Sequence, residues 1–209
     1  PEAWWRMDET AASTNMFDGM GRHDGLYTNA AGGATLPTMG AAGALIGDAN
    51  TAVTFSSAGQ GIGLAPYSPA FGVNKSTIEA WVKTTVATGQ APLSCSYGSS
   101  GWWVSSETGW WWGEKSDGTF GNNNPNGTNI IEYAAITPNT WRHVVITYDI
   151  TQTSSGTVYP FRFWVNGKTD GDIYGGDIAV NSGGPFIIGG RGVSAATLVD
   201  RLFDGTVDE

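Results

Sequence analysis

Three long runs of this chain alternate strictly with a period of two, and that alternation decides the fold class before composition does. Ser76–Thr85 (STIEAWVKTT) sets Ile78, Ala80 and Val82 against Glu79, Trp81 and Lys83. Thr140–Asp149 (TWRHVVITYD) sets Val144, Ile146 and Tyr148 against His143, Val145 and Thr147. Tyr159–Lys168 (YPFRFWVNGK) sets Phe161, Phe163 and Val165 against Arg162 and Trp164, then turns at Asn166-Gly167. Successive side chains of an extended strand leave on opposite faces, so each run offers one face to a core. Shorter strand candidates are AWWRM, DGLYTN, TAVTF, GIGLA, PFIIGG and RLFDGTV. Turn residues separate these runs at roughly the 8–12-residue spacing of β-sandwiches. No run of helical periodicity lies between them, which argues against a parallel α/β sheet. The alanine-rich NAAGGATLPTMGAAGALIG is broken by Gly and Pro and reads as loop or short strand. The chain reads as one all-β domain over residues 1–209.

Composition agrees. Charged residues are only 14%, against about 25% in soluble domains, and 31 glycines fill the difference. A formal charge of −9 argues against nucleic acid, which calls for a basic face. Cys95 is the single cysteine, so no internal disulfide can form. No run of about 18 apolar residues exists to insert in a membrane. The opening PEAWWRMDE carries no signal peptide and reads as a mature or trimmed start.

Gly101–Lys115 (GWWVSSETGWWWGEK) packs five tryptophans into fifteen residues. Alternation puts Trp102 and Trp103 on opposite faces, and Trp110 and Trp112 opposite Trp111, so a strand cannot bury all five. Two or three belong to the core, and the rest face outward or line a groove. Indole faces suit the C–H patches of sugar rings, and an exposed aromatic patch can equally meet a protein. The expected platform is Trp103, Trp110 and Trp112. Glu107, Glu114 and Asn123 stand nearby to bond hydroxyls at its rim.

Catalytic signatures are sparse. Retaining glycosidases hold two carboxylates about 5–5.5 Å apart. Glu107 and Glu114 are seven residues apart, hence on opposite faces of an extended strand, and Glu79 and Glu132 are isolated on theirs. His23 and His143 are the only histidines, and His143, inside its strand, reads as a core or packing residue. With ten Lys and Arg in all, a basic groove for acidic-sugar elimination is hard to build.

Several of these pieces, in this order, resemble a laminin G-like domain of the bacterial branch of the concanavalin A-like lectin/glucanase superfamily. AWWRMDE is similar to its first strand, and Asp18, Gly21, His23, Asp24, Gly25 and Tyr27 match its Asp-x-x-Gly-x-His-Asp-Gly-x-Tyr turn. The three alternating runs resemble its middle strands, and LFDGTVDE its final Gly-x-(Ile/Val)-Asp-Glu. The resemblance implies a jelly-roll β-sandwich of two antiparallel sheets, one of them curved to leave a concave face. It implies a structural calcium ion between the first and last strands. Asp18 and Asp208 would supply side chains, with backbone carbonyls near Gly21 and His23. Family members continue past the final Asp-Glu, and this chain stops at Glu209, so one reading makes it a piece of a longer extracellular protein. The Glu-x-Asp-x-x-Glu motif of the superfamily's glucanases is missing. The resulting expectation is a secreted or cell-surface, lectin-like module that binds polysaccharide without cleaving it. The alternatives are an adhesion or assembly module with a protein partner, and a glycan-active hydrolase or lyase whose acids are scattered.

Overall fold

The computed structural model describes residues 1–30, 33, 35–72, 75–86, 90–97, 100–106, 110–113, 131–133, 137–149, 161–168, 184–192 and 199–209. Its strands, in chain order, begin with β1 (Asn15–Met16), β2 (Gly25–Asn29), β3 (Thr38–Ala42), β4 (Thr51–Phe55) and β5 (Gly61–Ala65). A 3-10 turn at Pro69–Gly72 precedes β6 (Lys75–Thr84). Then come β7 (Leu93–Tyr97), β8 (Ser100–Ser106), β9 (Trp110–Gly113), β10 (Ile131–Tyr133), β11 (Arg142–Asp149) and β12 (Phe161–Val165). The chain closes with β13 (Phe186–Ile188), β14 (Arg191–Gly192), β15 (Val199–Asp200) and β16 (Gly205–Asp208).

The strands form an eight-stranded sheet in the order β1-β2-β5-β13-β7-β8-β9-β10 and a six-stranded sheet in the order β12-β11-β6-β16-β4-β3. β14 and β15 form a separate pair, held by the Arg191–Asp200 ion pair. Every ladder is antiparallel. This is the expected two-sheet sandwich, and its core follows from the alternation. In the six-stranded sheet, Val53, Val82 and Val207 stand in register, as do Ala80, Val144 and Val165. All six are buried in the same apolar cluster as Tyr27, Leu93, Cys95, Phe186 and Ile188 of the facing sheet. Burial at this density between two sheets is the main stabilising contribution.

The long runs fold as their pattern predicts. β6 and β11 pair over eight residues, from Val82–Arg142 to Lys75–Asp149. After β12 the chain reverses at Asn166 and Gly167, both at positive φ (51° and 73°) as a tight Asn-Gly turn requires, and Lys168 bridges back to Val165. AWWRM differs: it makes only an isolated bridge, Trp5 to Asp18. Its backbone is drawn elsewhere, because the Trp4 N–H donates to the Asp18 carboxylate and Met7 lies at φ 59°. The N-terminal segment meets the chain's end through Asn50, whose side-chain amide donates to the Arg6 carbonyl and to Asp208, but the last strand does not pair with β1. β16 lies between β4 and β6 in the middle of one sheet, while β1 is the edge of the other.

Candidate functional site

The Asp18–Gly25 turn is built around one buried carboxylate. Asp18 Oδ1 accepts the N–H groups of Trp4 (2.7 Å) and Met20 (2.9 Å), and Oδ2 those of Arg22 (3.0 Å) and His23 (2.9 Å). Asp24 Oδ1 accepts the Asp18 N–H at 2.8 Å. Gly21 allows the reversal with φ +68°, a value side-chain-bearing residues rarely adopt. The His23 carbonyl accepts the Trp5 indole N–H at 2.9 Å, and His23 Nε2 meets Glu2 Oε1 at 2.9 Å. Trp5 in turn packs on Phe186 with ring centroids 5.0 Å apart. The turn thus clamps the N-terminal segment onto the core.

Asp208 is also buried, but in other company: Oδ2 accepts the Ala44 N–H at 2.7 Å and Oδ1 the Asn50 side-chain amide at 3.2 Å. The two side chains expected to hold calcium thus each have hydrogen-bond partners of their own. Asp18 is answered by four N–H donors, whose partial positive charge repels a cation, where a calcium loop turns carbonyls inward. The His23 carbonyl accepts from Trp5, and Asp208, at the end of β16, accepts from the β3–β4 connection. Among the described residues no group of three or more His, Cys, Asp or Glu side chains converges to hold a metal ion.

The two aspartates titrate in opposite directions. Burial works against the charge on Asp18, but its four N–H donors together hold its pKa below the ordinary aspartate value. Burial, reinforced by the nearby Asp48 charge, raises that of Asp208 despite the Ala44 and Glu209 N–H groups. The linkage signs follow. The stability that ionised Asp18 contributes is full above its unfolded-state value of about 3.9 and is lost as pH falls through the lower folded value. The folded chain binds the Asp208 proton more tightly than the unfolded chain, so acidification through its raised value favours the fold at that site. Carboxyl ¹³C shifts followed through a pH titration should show Asp208 protonating first. The reverse order would mean that the N–H cradle around Asp18 does not form.

The tryptophan cluster lies on β8 and β9, toward the β10 end of the eight-stranded sheet. β7 and β8 pair Cys95 with Trp102 and Ser94 with Trp103. β8 and β9 pair Trp103 with Gly113, Val104 with Trp112, Ser105 with Trp111 and Ser106 with Trp110. β10 then sets Ile131, Glu132 and Tyr133 beside Trp112, Trp111 and Trp110. Cys95 is in the core cluster, so its register row and the rows two residues on mark the inner face. Trp102, Trp110 and Trp112 stand on that face, and Trp103 and Trp111 on the other, with Ser105 and Glu132. The expected trio of Trp103, Trp110 and Trp112 is thus divided between faces, because Trp103 pairs with Gly113, an odd step from both partners. Trp111, left out of that platform, is the diagonal neighbour of Trp103 across Gly113. Its signal was the strand register, which the amino-acid pattern alone does not carry. Glu107, Glu114 and Asn123 lie outside the described residues.

Comparison with known proteins places this architecture. The family model laminin G 3, described as concanavalin A-like lectin/glucanases superfamily, matches residues 55–209. Residues before the match share both sheets, since β2 pairs with β5 and β4 with β16. No curated protein matches by sequence. Among solved structures, the chain is similar to domain 4 of AbnA, an extracellular GH43 arabinanase from Geobacillus stearothermophilus, solved in complex with arabinotriose. The TM-score is 0.57 at 17% identity, over 100% of this chain and 91% of that one. It is also similar to botulinum neurotoxin type C, in a structure described by its dependence on two ganglioside molecules for cell entry, with a TM-score of 0.57, 11% identity and coverage of 100% and 47%. A Trypanosoma rangeli sialidase mutant with trans-sialidase activity gives 0.55 at 14% identity, over 99% of this chain and 30% of that one. Identities this low show the fold alone.

Proposed function

The chain belongs to the laminin G 3 family of the concanavalin A-like lectin/glucanases superfamily, and on that premise we propose that it binds carbohydrate without cleaving it. One observation carries the reading: the β8–β9 register gathers Trp103 and Trp111 as a diagonal pair on the face turned from the core. Diagonal neighbours across an antiparallel pair lie about 7–8 Å apart, close enough to serve one ligand. Gly113, directly opposite Trp103, adds no side chain between them. Ser105 and Glu132, in the same register row as Trp111, supply a hydroxyl and a carboxylate for sugar hydroxyls. Two structural neighbours support the assignment, one named with arabinotriose and one with gangliosides. Such a module works outside the cell, as the arabinanase is named to do.

Affinity electrophoresis against soluble arabinan, xylan, mannan and mixed-linkage glucan tests it. Each aromatic contact contributes about 1 kcal/mol, so the Trp103→Ala, Trp111→Ala double variant should weaken retardation by one of these glycans about thirtyfold or more. Trp110→Ala, on the inner face, should lower the melting temperature instead. A double variant that keeps wild-type retardation sinks the proposal. Self-association lost in that same variant would turn the patch over to a protein partner.

A further inference from the structure

The six-stranded sheet carries a second aromatic surface that the reading above does not use. β6 and β11 point Ala80, Val82, Val144 and Ile146 into the core, so Glu79, Trp81 and His143 take the opposite face, with Trp164 of β12 in line. Trp81 and His143 are register partners, and their rings lie 4.9 Å apart at 34°. His143 Nε2 is 3.6 Å from Glu79 Oε2, and its backbone N–H donates to Asn166 Oδ1 at 2.9 Å. The imidazole thus lies between Glu79 and the Trp81 ring, with its backbone tied to Asn166, and it buttresses the indole. Lys83 lies 4.6 Å from the centre of the Trp141 ring in the neighbouring row.

We propose that this surface around Trp81 is a second carbohydrate site and that its ligand is a neutral saccharide. Three properties carry the proposal. The rings are partly exposed: Trp81, Trp141 and Trp164 are all half-buried, and the His143 side chain is 30% exposed. Tryptophan on the solvent face of a strand is uncommon, and a cluster of it marks contact with something else. The indole is also preorganised by its imidazole and carboxylate neighbours, so binding orders little that is not already ordered. Finally, the charges compensate one another locally. Lys75 meets Asp149 at 2.8 Å at the far end of the strand pair, and Lys83, resting on Trp141, offsets the exposed Glu79 on the same face of β6. A face without a field of one sign matches an uncharged ligand. Glu79, 67% exposed, accepts from hydroxyls beside the indole, whose surface takes the sugar's C–H face. The site stands on its own geometry and does not depend on the β8–β9 pair. With both occupied, one chain links two glycans across its two sheets.

The test uses the whole chain in affinity gels cast with arabinan, xylan, mannan or mixed-linkage glucan. Trp81→Ala and Glu79→Ala are run in the wild-type background and in the Trp103→Ala, Trp111→Ala background. Expected is retardation that survives the Trp103, Trp111 substitutions in part and falls about tenfold with either Trp81→Ala or Glu79→Ala. Glu79 is exposed, so its variant decides the matter even where Trp81→Ala fails to fold. Retardation unchanged by Glu79→Ala and by a folded Trp81→Ala overturns this site, and the β8–β9 reading stands. Retardation lost with Trp81→Ala alone, and untouched by the Trp103, Trp111 pair, upholds this site and removes the other. Passage of every protein unretarded through all four gels overturns both.

Discussion

Asp18→Ala lowers the stability of the fold by about 3 kcal/mol, which for a chain of this size is a fall of roughly 6–12 °C in melting temperature. The carboxylate is 5% exposed and accepts four backbone N–H groups. Alanine leaves all four without their acceptor. Hydrogen bonds to a charged group contribute about 1.5–3 kcal/mol each, but four on one carboxylate do not add, and water reaches a surface turn once it opens. Released from Asp18, the Trp4 backbone no longer holds Trp5 against Phe186, so loss of the turn reaches the core. Asp18→Asn is no rescue. Its single oxygen serves one pair of donors, and its NH₂ then faces the other pair. Thermal unfolding by circular dichroism checks both variants, and an Asp18→Ala protein that melts within about 2 °C of wild type removes the carboxylate from this role.

That turn also shows how far the amino-acid order can be read. Asp18, Gly21 and Asp24 are the residue types of a calcium loop, and they are equally those of a turn that folds its own N–H groups around a carboxylate. The difference is the direction of the peptide planes, which no residue type encodes. β6, β11 and β12 were legible because polar and apolar residues alternate cleanly there, so only one face could be buried. β8 and β9 lack that asymmetry. Tryptophan stands on both faces, and a shift of one residue in pairing exchanges one set for the other, so only the observed register separates Trp103 and Trp111 from Trp102, Trp110 and Trp112. His143 packs as its strand position suggests, but against an indole on the outer face instead of in the core. Its strand pattern already placed it opposite Val144 and Ile146, whereas its partners Trp81 and Glu79 lie on another strand and no local pattern names them.

Gly189→Ala should be strongly destabilising, costing about 2–6 kcal/mol. Two independent effects combine at this position. Gly189 follows β13 at φ +93°, where any L side chain is strained, by about 1–3 kcal/mol. Its missing Cβ would also fall 2.4 Å from Cδ1 and 3.0 Å from Cε1 of Phe55. That ring cannot step aside. Phe55 is 1% exposed, among the largest fully buried side chains, and overpacking such a core costs about 1–3 kcal/mol more. Nor can the backbone yield, since the Gly189 N–H donates to the Pro92 carbonyl at 2.8 Å and its own carbonyl accepts the Phe203 N–H at 3.0 Å. The compensating variant separates the two effects. Phe55→Ala, which lacks Cγ and Cδ1, removes the overlap on the Gly189→Ala background but keeps the strain, so the double variant should lose less stability than the two single variants lose together. Chemical denaturation of the four proteins gives that coupling directly. Losses that simply add would show that backbone strain alone makes glycine necessary where β13 leaves the sheet.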